Sequence, residues 1–143
     1  MNPKRSILLV EDDHVDAMTV KRAFNDLNIT NCLEITGNGE EALVHLRDPD
    51  KDMPAIILID LNMPRMNGLE LLKQVKNDAV LRRIPVVVMT TSKRDQDKVN
   101  SFDLGAAGYM PKPMNYKKFV NVIKVIRQYW STSELPPLME LKK

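Results

Sequence analysis

Short apolar runs alternate along this chain with longer segments of helical period, and that alternation restricts the fold more than any single residue does. The runs are Ile7–Val10, Cys32–Ile35, Ile56–Ile59 and Val86–Met89, with a weaker fifth at Gly108–Met110. Between and after them the apolar residues recur every three to four positions, as in Ala17, Val20, Phe24 and Leu27, or Leu69, Leu72 and Val75. Strand-length runs alternating with helical segments describe βαβ units and a parallel sheet. The spacing predicts helices over 15–28, 39–47, 68–77, 95–104 and 115–130. Cys32-Leu33-Glu34-Ile35-Thr36 mixes polar with apolar residues, which suits an edge strand. Asn38-Gly39 would usually mark a hairpin, but a helical pattern follows it, so a strand-to-helix turn is expected. The fold class is therefore α/β, a doubly wound five-stranded parallel sheet with helices on both faces.

Composition narrows the class without deciding the function. The 143 residues are 43% hydrophobic and 28% charged, ordinary values for one globular domain. A net charge of +2 gives no argument for nucleic acid or for a membrane surface. No apolar stretch reaches spanning length, and the first apolar run is too short for a signal-peptide core. The single cysteine, Cys32, cannot close an internal disulfide, so a reducing, cytoplasmic setting is expected, with Cys32 as a small buried hydrophobe.

The chemistry gathers at the ends of the runs. Glu11, Asp12 and Asp13 follow the first, Asp60 ends the third, Thr90 and Thr91 end the fourth, and Lys112 follows the fifth. In doubly wound sheets, functional groups lie beyond the carboxyl ends of the strands, at the switch in strand order. Carboxylates drawn together repel unless a cation lies between them. Oxygen donors of this kind suit Mg²⁺, which binds through one or two carboxylates and keeps several waters. Asp60 could act as a nucleophile forming an acyl phosphate, with Mg²⁺, Lys112 and the Thr90 hydroxyl (or the Thr91 amide) neutralising the phosphoryl oxygens. The plainer alternative is ordinary surface charge.

Four motifs in order now carry a resemblance: Leu9-Val10-Glu11-Asp12-Asp13, Asp60-Leu61-Asn62-Met63-Pro64 with Asn67-Gly68, Val88-Met89-Thr90-Thr91, and Gly108-Tyr109-Met110-Pro111-Lys112-Pro113. Asp60 and Thr90 are 30 residues apart, Thr90 and Lys112 are 22 apart. Over roughly residues 5–130 the chain resembles the receiver domain of two-component response regulators. The resemblance implies the flavodoxin-like strand order 2-1-3-4-5. It implies Asp60 as phosphoacceptor, with Thr90 and Lys112 assisting. It implies Mg²⁺ held by Asp12, Asp60 and the Asn62 carbonyl, with Glu11 acting through a metal-bound water. Thr90 and Tyr109 would be the switch pair, although Tyr109 could also be plain core.

By the same likeness, residues 1–130 form the receiver domain and 131–143 a C-terminal tail. The implied function is a stand-alone regulator that a histidine kinase phosphorylates and that signals through a protein partner. Such a protein is not an enzyme beyond promoting its own phosphorylation and slow dephosphorylation. Asp60-Leu61-Asn62 and the Trp130-containing extension are similar to small regulators that pair with phytochrome-type kinases. Two rivals stand beside this reading. One is a pseudo-receiver acting only as an interaction module. The other is a phosphatase with an aspartyl nucleophile, against which Asn62 speaks, since that position would need an acid.

Several departures and minor features carry expectations of their own. Thr91 stands where the family often has a smaller residue. Pro111 deletes an amide at the end of the last strand, which an edge position tolerates. Met114 replaces a common phenylalanine and is expected to pack. The Lys112-Pro113 bond resembles one that is often cis. His14 and His45 are expected to be solvated. The last helix carries a second apolar stripe, Val122, Val125 and Tyr129, which together with Leu135 and Leu138 is expected to form a homodimer face, the alternative being a tail that folds back and covers the stripe within one monomer.

Overall fold

The computed structural model describes residues 5–134. Five parallel strands, β1 (Ile7–Val10), β2 (Leu33–Thr36), β3 (Ile56–Ile59), β4 (Val86–Thr90) and β5 (Gly108–Pro111), lie in the order β2-β1-β3-β4-β5. The helices between and after them are α1 (His14–Asp26), α2 (Gly39–Arg47), α3 (Gly68–Asn77), α4 (Asp95–Asp103) and α5 (Tyr116–Thr132). The expected fold class and strand order are thus observed. β1 and β3 are buried along their whole length, which explains why they read as unbroken apolar runs. β2 and β5 are the edges and are only partly covered.

Strand residues alternate between two layers. Leu8, Val10, Ile57, Ile59, Val86 and Val88 pack with Ala42, Leu46, Leu72 and Val75 from α2 and α3. Ile7, Leu9, Ile56, Leu58, Val87 and Met89 face the other way, against Val20 and Phe24 of α1 and Phe119, Ile123 and Ile126 of α5. Trp130 closes that second layer against Phe24, ring centroids 5.8 Å apart.

Helix starts are written in the sequence as short polar side chains. Asp13, Asn38, Asn67 and Asn115 each accept a backbone N–H of the following turn, and Asn67 with Glu70 completes a capping box. Asn38-Gly39 is indeed a strand-to-helix turn. α4 is the exception, with no side-chain bond at its N-cap, Arg94. A one-turn 3-10 helix at Leu81–Arg83, unanticipated in the sequence, precedes β4; Asp78 Oδ1 accepts the N–H groups of Val80 and Leu81 there.

Four expectations are corrected. Cys32 is exposed, because it precedes β2 at the rim of the sheet and its side chain has no layer to enter. Met114 is fully exposed, since the turn from β5 into α5 points it away from both layers. Met114 therefore does not pack as a core residue. His45 is not solvated: its Nε2 lies 3.2 Å from Glu34 Oε1 and ties α2 to β2. Lys112-Pro113 is trans, as are all peptide bonds among the described residues. His14 is exposed as anticipated. Pro111 is an exposed end residue on the β5 edge, opposite Thr90.

Candidate functional site

The strand order splits between β1 and β3, so the chain leaves their carboxyl ends in opposite directions and opens a crevice there. Into it the β1–α1 turn delivers Glu11 and Asp12, while β3 delivers Asp60, whose N–H donates to Val10 O at 3.1 Å. Carboxylate oxygens of Glu11, Asp12 and Asp60 all lie within 4.8 Å of one another. Glu11 and Asp60 are buried and Asp12 is exposed at the mouth. Asn62, Thr91 and Lys112 line the same cleft. Gly68 makes this geometry possible: a Cβ there would collide with the carbonyl of Asp60 and lie 2.7 Å from Leu61 Cα, so only glycine lets α3 start against the chain that carries Asp60.

Lys112 reaches the cluster from β5. The trans bond to Pro113 does not prevent this, because Lys112 N–H donates to Thr90 O and anchors the backbone beside β4. Its Nζ donates to Glu11 Oε1 at 2.5 Å and to Asp16 Oδ2 at 2.9 Å, and lies 3.6 Å from Asp60 Oδ2. Thr90 is buried, and its hydroxyl accepts the Ser92 N–H at 3.1 Å. Ser92 Oγ in turn donates to Asp97 Oδ2 at 2.6 Å and accepts the Arg94 N–H, which ties the turn after Thr90 to the first turn of α4. The Tyr109 ring sits half-buried, 6.4 Å from that of Phe102, with a buried hydroxyl that meets no partner.

The electrostatics are those of a site short of positive charge. Burial pushes Glu11 up to about 7, and the Asp60 charge adds to that, while the bond from Lys112 opposes it. Burial alone would lower Lys112, but its bonds to Glu11 and Asp16 outweigh it and the ammonium is held above its ordinary range. Both partners thus bind protons more tightly, Glu11 because it is buried and Lys112 because carboxylates surround it. Asp60 Oδ1 is buried and has no hydrogen-bond partner. A buried, unpaired carboxylate oxygen is costly, and beside other hard oxygen donors it fits a small divalent cation. Glu11, Asp12 and Asp60 could supply carboxylate oxygens to such an ion, and Asn62 lines the same cleft.

The fold thus brings Glu11, Asp12, Asp60, Asn62, Thr90 and Lys112 to one edge, with Tyr109 on β5, the strand that leads to Lys112. Asp16, absent from the sequence reading, joins them. Its signal was its place three residues after the helix cap Asp13, which turns it back toward the strand ends. An acid in a first turn is usually read as a helix-dipole partner only.

The sequence model of the response regulator receiver domain matches residues 7–124. The response regulator Rcp1 of Synechocystis is 35% identical over 140 residues, covering 94% of this chain and 95% of its own. A probable methanogenesis regulatory protein, FilR2, of Methanothrix harundinacea is 37% identical over 127 residues, 87% of this chain and 82% of its own. The crystal structure of a phosphorylated cyanobacterial phytochrome response regulator, RcpA, superposes with a TM-score of 0.88 at 34% identity, covering 94% of this chain and 100% of that one. A Mn²⁺-bound structure of Rcp1 superposes with a TM-score of 0.85 at 34% identity, covering 93% of this chain and 99% of that one.

Proposed function

Because the chain belongs to the response regulator receiver family of two-component signalling, we propose that it accepts a phosphoryl group on Asp60 and signals through a phosphorylation-dependent protein contact. The observation that carries this reading is Asp60 itself: one oxygen buried and unpaired, the other 3.6 Å from an ammonium, within an acidic cleft. A carboxylate with an unpaired oxygen and an ammonium close by is what a phosphoacceptor needs.

In the proposed step a carboxylate oxygen of Asp60 attacks the phosphorus of a kinase phosphohistidine. The P–O bond forms as the P–N bond breaks, and the electron pair leaves on the imidazole nitrogen. Asp12, Asp60 and the Asn62 carbonyl would hold Mg²⁺, with Glu11 supporting it through water. The ion would supply charge neutralisation among the carboxylates and on the transferred oxygens. Lys112 gives up part of its present bonding to pair with a phosphoryl oxygen, and the Thr90 hydroxyl donates to another. Moving Thr90 loosens its bond from Ser92 N–H, while the Tyr109 ring, beside Phe102 of α4, moves with that face.

A histidine kinase is the expected donor, one of phytochrome type being the first to try given the likeness to RcpA. Residues 1–130 are taken as the receiver unit and 131–143 as a tail. We read the chain as acting in the cytoplasm. Among the described residues no helix is long and apolar enough to cross a membrane. The deciding experiment is intact-mass measurement after incubation with acetyl phosphate and Mg²⁺. One added phosphate on the wild type, absent in Asp60→Asn, is expected; an unmodified wild type would leave a pseudo-receiver that works by interaction alone.

A further inference from the structure

Asp16 stands where the proposed reaction needs Lys112. It lies in the first turn of α1, outside the set of Glu11, Asp12 and Asp60 that converges for a cation. Its N–H donates to the capping carboxylate of Asp13 at 3.1 Å, so its backbone position is fixed by the start of the helix. Its Oδ2 holds Lys112 Nζ at 2.9 Å, whereas Asp60 Oδ2 is 3.6 Å away, beyond a good hydrogen bond. The ammonium therefore spends two of its protons on Glu11 and Asp16 and is drawn off Asp60.

The two holds differ in strength. The Glu11 side chain is 2% exposed and the Asp16 side chain 42% exposed. A charged bond away from water is firm, while one at the rim is weakened by solvent. Lys112 is thus tethered to Glu11 and releasably parked on Asp16.

We propose that Asp16 is a positioning residue that competes with the phosphoryl group for Lys112, and so sets how readily Asp60 is phosphorylated and how long the acyl phosphate lasts. The inference rests on the phosphoacceptor reading. With acetyl phosphate as donor, a bond forms from an Asp60 oxygen to phosphorus, the donor's P–O bond breaks, and acetate leaves with the electron pair. Lys112 keeps Glu11 and exchanges Asp16 for a phosphoryl oxygen. In hydrolysis a water oxygen bonds to phosphorus, the bond from phosphorus to the Asp60 oxygen breaks with its electron pair returning to the carboxylate, inorganic phosphate departs as dihydrogen phosphate with both of the water's protons, and Lys112 returns to Asp16. Each turn of this exchange leaves Asp16 bonded only in the unphosphorylated protein, so Asp16 favours that state.

The full chain carrying Asp16→Asn tests this. Beryllofluoride with Mg²⁺, which mimics the phosphoryl group without chemistry, should bind tighter by about three- to tenfold, the scale of one half-exposed charged hydrogen bond. Intact-mass time courses should show faster uptake from acetyl phosphate and slower loss. Asp16→Glu, which restores a carboxylate, should return both toward wild type. In a Lys112→Ala background Asp16→Asn should leave mimic binding unchanged, the signature of action through Lys112. An Asp16→Asn protein that binds the mimic as wild type does, or more weakly, overturns the inference. So does an effect that survives without Lys112, or a loss of Mg²⁺ affinity in calorimetry as large as that of Asp12→Asn. A wild type that takes up neither mimic nor phosphate removes the phosphoacceptor reading and this inference together; a responsive wild type with an indifferent variant removes the inference alone.

Discussion

Glu11 shows how far one buried carboxylate can be pushed by its setting. Its folded pKa, about 7, lies above the ordinary 4.5 chiefly because of burial. The sign follows directly: a carboxyl that binds its proton more tightly when folded adds stability that is full below pH 4.5 and is lost as pH rises toward 7. In chelator, the denaturation midpoint should therefore fall between pH 5 and pH 7.5, and Glu11→Gln should flatten that slope. Adding Mg²⁺ at pH 7.5 should raise the midpoint with ion concentration, as for any ligand that binds only the folded state. A midpoint indifferent to Mg²⁺ would count against the metal assignment. Gly68 acts on the same site by shape alone. Gly68→Ala places a methyl group against the Asp60 backbone and should cost about 1–3 kcal/mol, as overpacking does. Equilibrium unfolding within 0.5 kcal/mol of wild type would show that α3 shifts without strain.

Elements were legible in the sequence in proportion to how deeply they are buried. β1 and β3, covered on both faces, stand out as Ile7–Val10 and Ile56–Ile59, and α3 begins where Asn67 and Glu70 announce a capping box. Asn67→Ala should remove that cap and cost about 1 kcal/mol, read as a shift of the unfolding midpoint. Legibility fails where an element is short or its partner comes from elsewhere in the chain. The 3-10 turn at Leu81–Arg83 is too brief to show a period. Met114 was read by its type as apolar filler, but the trajectory between β5 and α5 decides its exposure. His45 finds Glu34 across eleven residues only because β2 and α2 are packed together. The candidate site was readable because Glu11, Asp12, Asp60, Thr90 and Lys112 each stand at or just after the end of an apolar run; Asp16 was not, since its partner Lys112 is 96 residues away.

At the scale of the whole molecule the remaining matter is what α5 does with its outer side. Phe119, Ile123, Ile126 and Trp130 fill the layer against α1, and Val122 is half-buried beside them. Val125 remains 54% and Tyr129 43% exposed. Leu135 and Leu138, the other residues expected on this face, lie outside the described residues. Apolar side chains left together on a helix mark a contact surface, and a two-fold axis lets one chain use the same surface twice. Charged neighbours such as Lys117, Lys124 and Asp103 would orient such a pair. Homodimerisation through α5 is therefore predicted, tightening when beryllofluoride and Mg²⁺ occupy the Asp60 site if Thr90 and Tyr109 relay the change through β5. Light scattering at micromolar protein should give a dimer mass that rises in occupancy with the mimic, and Val125→Glu should return the protein to monomer because two like charges would meet at the axis. A wild type monomeric with and without the mimic, and insensitive to Val125→Glu, would favour the alternative in which the 131–143 tail covers the α5 stripe within one monomer.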